Sequence, residues 1–203
     1  MIGLLPINTQ AIQIHPAYAS AYYNRGKVYI KKGNLDQAIA DLTKAIKICP
    51  KNADSYYGRG NVYFDKDDFG RAIADFTKAI KIDPMFAAAY NNRGAVYKQI
   101  SDLDRAIADY TKAIGINPTY TFAYYNRGNT FLEKGDLEKA ISDYTKVIEL
   151  DSTFVDAYLN RGLAYSQKNL KIQAINDFET CLFLTPNSED RAKIKKLIDS
   201  LKE

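Results

Sequence analysis

The dipeptide Arg-Gly occurs at Arg25-Gly26, Arg59-Gly60, Arg93-Gly94, Arg127-Gly128 and Arg161-Gly162, each 34 residues after the last. A constant step of this length marks a chain built from one repeated supersecondary unit, which cannot bury its apolar face alone and is stabilised by stacking on its neighbours. The chain is therefore expected to grow in one dimension, as a single domain without one central core. Function is then expected on a surface and not in one pocket.

Counting Ala19 as position one, position four is Tyr22, Tyr56, Tyr90, Tyr124 and Tyr158, and position eleven is Tyr29, Tyr63, Tyr97, Phe131 and Tyr165. With glycine at position eight these form one helical stripe. A second stripe runs through Ala38, Ala72, Ala106, Ala140 and Ala174, then Leu42, Phe76, Tyr110, Tyr144 and Phe178, then Ala45, Ala79, Ala113, Val147 and Cys181. Spacings of four and three residues predict the buried face of a second helix. Between the two, Gly33, Gly135 and Asn169 suit a left-handed C-cap, and Asn34, Asp68, Asp102 and Asp136 suit an N-cap. Pro50, Pro84, Pro118 and Pro186 are expected to stop the second helices, with Ser152 the exception.

This pattern resembles the tetratricopeptide repeat, with Tyr for the usual Trp at position four and Arg for the usual Leu at position seven. The reading is an all-α, right-handed superhelical solenoid of five helix-turn-helix repeats. Residues 1–18 form a partial leading repeat, 19–52, 53–86, 87–120, 121–154 and 155–188 the five repeats, and 189–203 a C-terminal capping helix. The leading segment carries Ala11, Ile12, Ile14 and Pro16 in register with a second helix. The capping helix carries the stripe Ile194, Leu197, Ile198 and Leu201, and has Lys196 where a further repeat would need glycine.

Charge and chemistry narrow the function. A formal net charge of +4 is mild, and no nucleic-acid partner is expected. No apolar run reaches the length of a membrane span, and the first residues do not read as a secretory signal, so a cytoplasmic location is expected. Cys49 and Cys181 lie almost four repeats apart, too far for a bridge in a stacked array. His15 is the only histidine and the glycines serve turns and packing, so neither a catalytic constellation, a metal site nor a cofactor is expected. Lys44, Lys78, Lys112 and Lys146 recur as a row that reads as a solvated face.

Position seven is Arg25, Arg59, Arg93, Arg127 and Arg161, and position twenty-three is Asp41, Asp75, Asp109, Asp143 and Asp177. Both rows face inward, which predicts a structural ion-pair ladder of undetermined register. Arginines gripping an acidic ligand are the alternative.

The resemblance implies that the first helices line a concave groove. The groove positions hold Tyr23, Asn24, Tyr57, Asn61, Phe64, Asn92, Lys98, Phe122, Tyr125, Asn126, Asn129 and Asn160. Asparagine offers both donor and acceptor, so a row of them can hold a peptide backbone, while the rings supply anchors. The expected function is a non-catalytic scaffold binding a peptide segment or partner subunit. The family's clamp for Hsp70 and Hsp90 tails needs lysines and an arginine that are replaced here by Tyr57, Phe122 and Asn126, so that partner is not expected. The alternative is a self-assembling module that oligomerises through its incompletely capped N-terminal end.

Overall fold

A computed structural model describes residues 4–185 and 188–202. Among the described residues there are twelve α-helices and no strand. They fall into two compact units, Met1–Ile100 and Ser101–Glu203. The 34-residue step alone predicts one unbroken domain; a repeat array is stabilised by nearest neighbours and has no single centre of compactness.

Unit 1 holds α1 (Leu4–Ile14), α2 (Ala19–Lys31), α3 (Leu35–Ile48), α4 (Ala53–Asp65), α5 (Phe69–Ile82) and α6 (Ala87–Gln99). Unit 2 holds α7 (Leu103–Ile116), α8 (Thr121–Glu133), α9 (Leu137–Leu150), α10 (Val155–Gln167), α11 (Lys171–Leu184) and α12 (Ser188–Lys202). Within each unit every helix packs on its chain neighbours.

The turns inside the hairpins reverse through one left-handed residue: Gly33 at φ 74°, Gly135 at 79° and Asn169 at 59°. Asp67 at φ 57° and Ser101 at 60° do the same at the equivalent positions, where the sequence carries no glycine signal. Asp68, Asp102 and Asp136 then accept hydrogen bonds from the amides of Arg71, Arg105 and Lys139, so each starts a second helix as a side-chain cap. Asn34 occupies the cap position of α3 without making that bond.

Second helices end before Pro50, Pro84 and Pro118, while Pro186 lies outside the described residues. At Ser152 the proline is missing but the turn is kept. Asp151 accepts from the Thr153 amide at 2.9 Å, the same turn that Asp83 makes with Met85 and Asn117 with Thr119. The Asx turn thus ends α9 without proline.

The core of each hairpin is the second-helix stripe. Leu42, Phe76, Tyr144 and Phe178 are fully buried, flanked by Ala38, Ala72, Ala140 and Ala174. Position-eight glycine admits the ring: a Cβ on Gly162 would stand 2.6 Å from Phe178 Cε1. Outer ion pairs Lys66–Asp36, Lys134–Asp104 and Lys168–Glu138 join successive hairpins, but these exposed pairs contribute little.

At the end of unit 2, α12 buries Ile194 and Ile198 against Ala174, Phe178 and Cys181. Arg191 Nη1 donates to the carbonyl oxygens of Leu182 and Thr185, capping the last turn of α11. Lys196 faces solvent.

Candidate functional site

The position-seven arginines are held on every side. Arg25, Arg59, Arg127 and Arg161 each lay Nε and Nη2 on the carboxylate sixteen residues ahead in the same hairpin, namely Asp41, Asp75, Asp143 and Asp177, at 2.7–2.9 Å. Nη1 reaches back to a threonine on the preceding second helix: Arg59 to Thr43, Arg127 to Thr111 and Arg161 to Thr145, at 2.9–3.0 Å. In unit 1, Arg25 makes a longer contact with Thr9 at 3.5 Å, and Arg93 meets Thr77 at 2.9 Å.

Each guanidinium also lies between the rings of positions four and eleven, as Arg127 does between Tyr124 at 5.7 Å and Phe131 at 5.9 Å. The carboxylate bond holds the guanidinium of Arg25, Arg59 and Arg161 further above its ordinary range. Burial pushes the Asp143 carboxyl up more than Arg127 draws it down. The threonine row Thr9, Thr43, Thr77, Thr111 and Thr145 recurs at the same step and was legible, yet its role shows only once the helices pack.

On the first helices, two constellations repeat. In unit 1, Asn92 Nδ2 donates to Tyr57 Oη at 3.0 Å and to Asn61 Oδ1 at 2.8 Å, while Asn92 Oδ1 accepts from Asn91 Nδ2 at 3.0 Å. In unit 2, Asn160 Nδ2 donates to Tyr125 Oη at 3.3 Å and to Asn129 Oδ1 at 2.9 Å. Tyr144 Oη donates to the same Asn129 oxygen at 2.7 Å. Both amide hydrogens of Asn92 and Asn160 are thus committed within the protein.

Those tyrosines also meet a neighbouring ring at a tilt. Tyr57 lies 4.8 Å from Phe86, and Tyr125 lies 4.9 Å from Phe154. Phe86, Tyr120 and Phe154 recur at the end of successive repeats, a signal the groove positions alone did not include. Phe122 stands 58% exposed with its edge toward Phe154 at 5.9 Å. Burial raises the Tyr125 phenol above its usual value, and it raises Tyr23 with added repulsion from Asp54.

Other expected residues make further contacts. Phe64 turns into its own hairpin, 6.1 Å from Phe69, and packs against Phe76 and Val96. Tyr23 receives the Lys27 ammonium 5.4 Å from its ring centre. Asn24 is exposed, while Asn126 and Lys98 are half-buried. Among the described residues no group of His, Cys, Asp or Glu gathers to hold a metal ion, and no helix is long and apolar enough to cross a membrane.

Helical hairpins of two in-phase helices, with glycine under the second-helix ring and repeated surface residues on the first helices, define a helical-repeat protein. Family profiles described as TPR repeat match residues 26–67, 60–101 and 128–169, and profiles described as tetratricopeptide repeat match 8–40, 87–120, 109–142 and 155–188. The chain belongs to the tetratricopeptide repeat family.

Among solved structures it is similar to YrrB, described as a TPR protein with an unusual peptide-binding site: 26% identity over 93% of this chain and 97% of the other, TM-score 0.75. MamA is similar at 32% identity over 83% and 96%, TM-score 0.74. MamA 41-end from Desulfovibrio magneticus RS-1, at 23% identity over 82% and 94% with TM-score 0.75, shares the fold. No curated protein matches the chain.

Proposed function

We propose that this protein is a non-catalytic interaction scaffold that binds peptide segments of a partner protein on its first helices, each unit offering one aromatic patch. Tyr57 with Phe86 forms the first patch, and Tyr125 with Phe154 and Phe122 the second. The observation that carries this reading is the recurrence of the same Tyr, Asn, Asn constellation at a step of 68 residues, with the same hydrogen bonds.

The reading refines the role expected of the asparagines. With both hydrogens of Asn92 and Asn160 engaged, these amides orient the tyrosines, and the rings supply affinity. The arginine row serves the framework, because Nε, Nη1 and Nη2 all have partners in Arg59, Arg127 and Arg161. Similarity to a protein described by its peptide-binding site supports the assignment. Two free thiols suit a reducing compartment, in keeping with a cytoplasmic scaffold.

Affinity capture from lysate tests it, comparing the native chain with a variant carrying Tyr57→Ala and Tyr125→Ala at equal helicity. A partner lost only from the variant, whose peptide then shifts the NMR signals of both tyrosines, supports the scaffold. If both proteins retain the same partners, the aromatic patches are not the binding surface.

One observation favours a second reading, self-association through α1: this helix carries no charged residue and exposes Ile7 and Ile14 at 61% and 62%. Light scattering that gives a strict monomer across a wide concentration range rejects it.

A further inference from the structure

Unit 1 carries fourteen lysines and arginines against eight aspartates and no glutamate, a formal charge of +6. Unit 2 carries fourteen against sixteen acids, a formal charge of −2. The mild charge of the whole chain therefore hides a strongly basic half, and much of the excess lies on the outer side of two second helices.

Arg59 ties those helices together. From α4 its Nη1 donates to Thr43 Oγ1 of α3 at 2.9 Å, and its Nε and Nη2 bind Asp75 of α5 at 2.7 and 2.9 Å. Beside these anchored residues, Lys44 and Lys47 on α3 and Lys78 and Lys81 on α5 are exposed, each pair three residues apart and so on one helical face. Lys51, also exposed, extends the α3 row past the end of its helix. Ala40 and Ala74, exposed one turn before Lys44 and Lys78, leave the ammonium groups standing over small side chains.

Among the described residues none of these five lysines meets a carboxylate. The acids of α3 and α5 are already held: Asp36 by Lys66, Asp41 by Arg25 and Asp75 by Arg59. In the adjoining turns Asp68 pairs with Arg71, and Asp83 accepts from the Met85 amide. Nor does the framework require the lysines. In unit 2 the positions of Lys47 and Lys81 are taken by Gly115 and Glu149, and Glu149 binds Lys146 at 2.9 Å. A last-turn cation favours a helix C-terminus, yet α7 and α9 form without one.

We propose that the outer face of α3 and α5 is a docking surface for an acidic segment of a partner protein, whose carboxylates pair with Lys44, Lys47, Lys51, Lys78 and Lys81. Charge complementarity selects the occupant. A second copy of this chain does not supply it, because Asp102, Asp104, Asp136, Glu138 and Glu149 of unit 2 each have a cation of their own. A lipid surface does not fit, because a helix lying in the interface buries an apolar face there, and the apolar faces of α3 and α5 are buried in the core at Leu42 and Phe76. A nucleic-acid strand would stack its bases on rings, and no exposed position of α3 or α5 carries one. The surface lies on the second helices and stands whether or not the tyrosine patches of the first helices bind.

The probe is the peptide Gly-Glu-Glu-Asp-Glu-Glu-Asp-Gly, with fluorescein for anisotropy and unlabelled for NMR, against a control with every acid replaced by its amide. With the full chain at about 0.15 M salt, the amide signals of Lys44, Lys47, Lys78 and Lys81 are expected to shift with the probe and not with the control. A variant carrying Lys44→Gln, Lys47→Gln, Lys78→Gln and Lys81→Gln is expected to keep its helicity and to bind the probe about tenfold more weakly, the sum of four exposed ion pairs. A second variant loses the same charge from unit 2, through Lys146→Gln, Lys171→Gln, Lys195→Gln and Lys196→Gln, and is expected to bind as the native chain does. Unmoved lysine amides overturn the proposal, as does a unit 1 variant that binds as tightly as the native chain. Equal weakening in both variants overturns it as attraction to net charge alone. Vesicles containing phosphatidylserine, or a DNA oligonucleotide, bound through the same four lysines more tightly than the probe at equal charge overturn it as well. Tyr57 and Tyr125 are intact in both variants, so the result is independent of the aromatic patches.

Discussion

Arg127 and Asp143 meet through two parallel hydrogen bonds of 2.8 and 2.7 Å, while the third guanidinium nitrogen of Arg127 binds Thr111 on the preceding second helix. One side chain therefore closes its own hairpin and ties it to the repeat before. Sequence placed both rows on inward faces, but the pairing at sixteen residues became visible only with the hairpin geometry.

Removing the arginine leaves the Asp143 carboxylate, with 6% of its side chain exposed, without its cation. Arg127→Ala is expected to cost about 3 kcal/mol, toward the low end for broken buried pairs because the guanidinium keeps some solvent. Arg127→Lys recovers little, since an ammonium cannot bind Asp143 in a fork and reach Thr111 together. Arg127→Met with Asp143→Leu is expected to be more stable than R127A. Urea midpoints check the order; R127A as stable as the native chain rejects the ladder.

Gly162 is required by contact with Phe178, not by backbone conformation. A Cβ there would meet Cε1 at 2.6 Å and Cδ1 at 2.9 Å, atoms of a ring that is itself fully buried. Gly162→Ala is expected to destabilise by about 1–3 kcal/mol through overpacking, with partial rescue by Phe178→Leu, the residue that α3 carries as Leu42. Gly115 has open space around its would-be Cβ, so Gly115→Ala is expected to be neutral or stabilising by up to about 1 kcal/mol. Thermal melts of both variants separate the two kinds of glycine.

Much of this fold was legible because it is periodic. The stripe from Ala38 through Leu42 to Ala45 repeats with a packing reason at each step, and the position-eight glycine marks where the helices touch. The left-handed turns at Asp67 and Ser101 were hidden, since neither residue advertises φ above zero as glycine does. The stop at Asp151 was hidden because the Asx turn it shares with Asp83 and Asn117 persists there without the proline that marks the other two.

The internal bonding of the candidate surface lay beyond what the sequence could show. Asn92 and Asn160 occur where the groove reading expects them, but the sequence could not show that their amide hydrogens are engaged by Tyr57, Asn61, Tyr125 and Asn129. Nor could it show that Leu159, Leu163 and Ile194 converge beside Thr185. Convergence of that kind depends on how α10, α11 and α12 are packed.

The two cysteines are expected to react differently. Cys49 is exposed, whereas Cys181 is buried near the Val155 carbonyl at 3.7 Å, and burial with the nearby Asp177 and Asp156 charges pushes its thiol up to about 12. At pH 8 one thiol per chain should react rapidly with a disulfide reagent, and the second only on unfolding. Mass mapping that finds both labelled at the same rate in the native protein contradicts the burial of Cys181 in the α11 core.

Tyr110 and Tyr144 set the alkaline limit. Both rings are buried, and desolvation raises both phenols well above the usual value near 10. For an acid whose folded pKa is raised, the associated stability is fully present below the unfolded pKa and is lost as pH rises toward the folded one. Stability should therefore hold to about pH 10 and fall above it, since the unfolded chain releases these protons first. Tyr144 also donates to Asn129 at 2.7 Å, so Tyr144→Phe is expected to cost about 1 kcal/mol at neutral pH. The same variant should unfold less steeply above pH 10, because one titrating group is gone while the ring remains, as Phe76 and Phe178 show at that position. Absorbance of ionised tyrosine at alkaline pH, followed beside helical circular dichroism, checks this. Ionisation of all tyrosines before any loss of helix would mean that the rings of Tyr110 and Tyr144 are open to solvent.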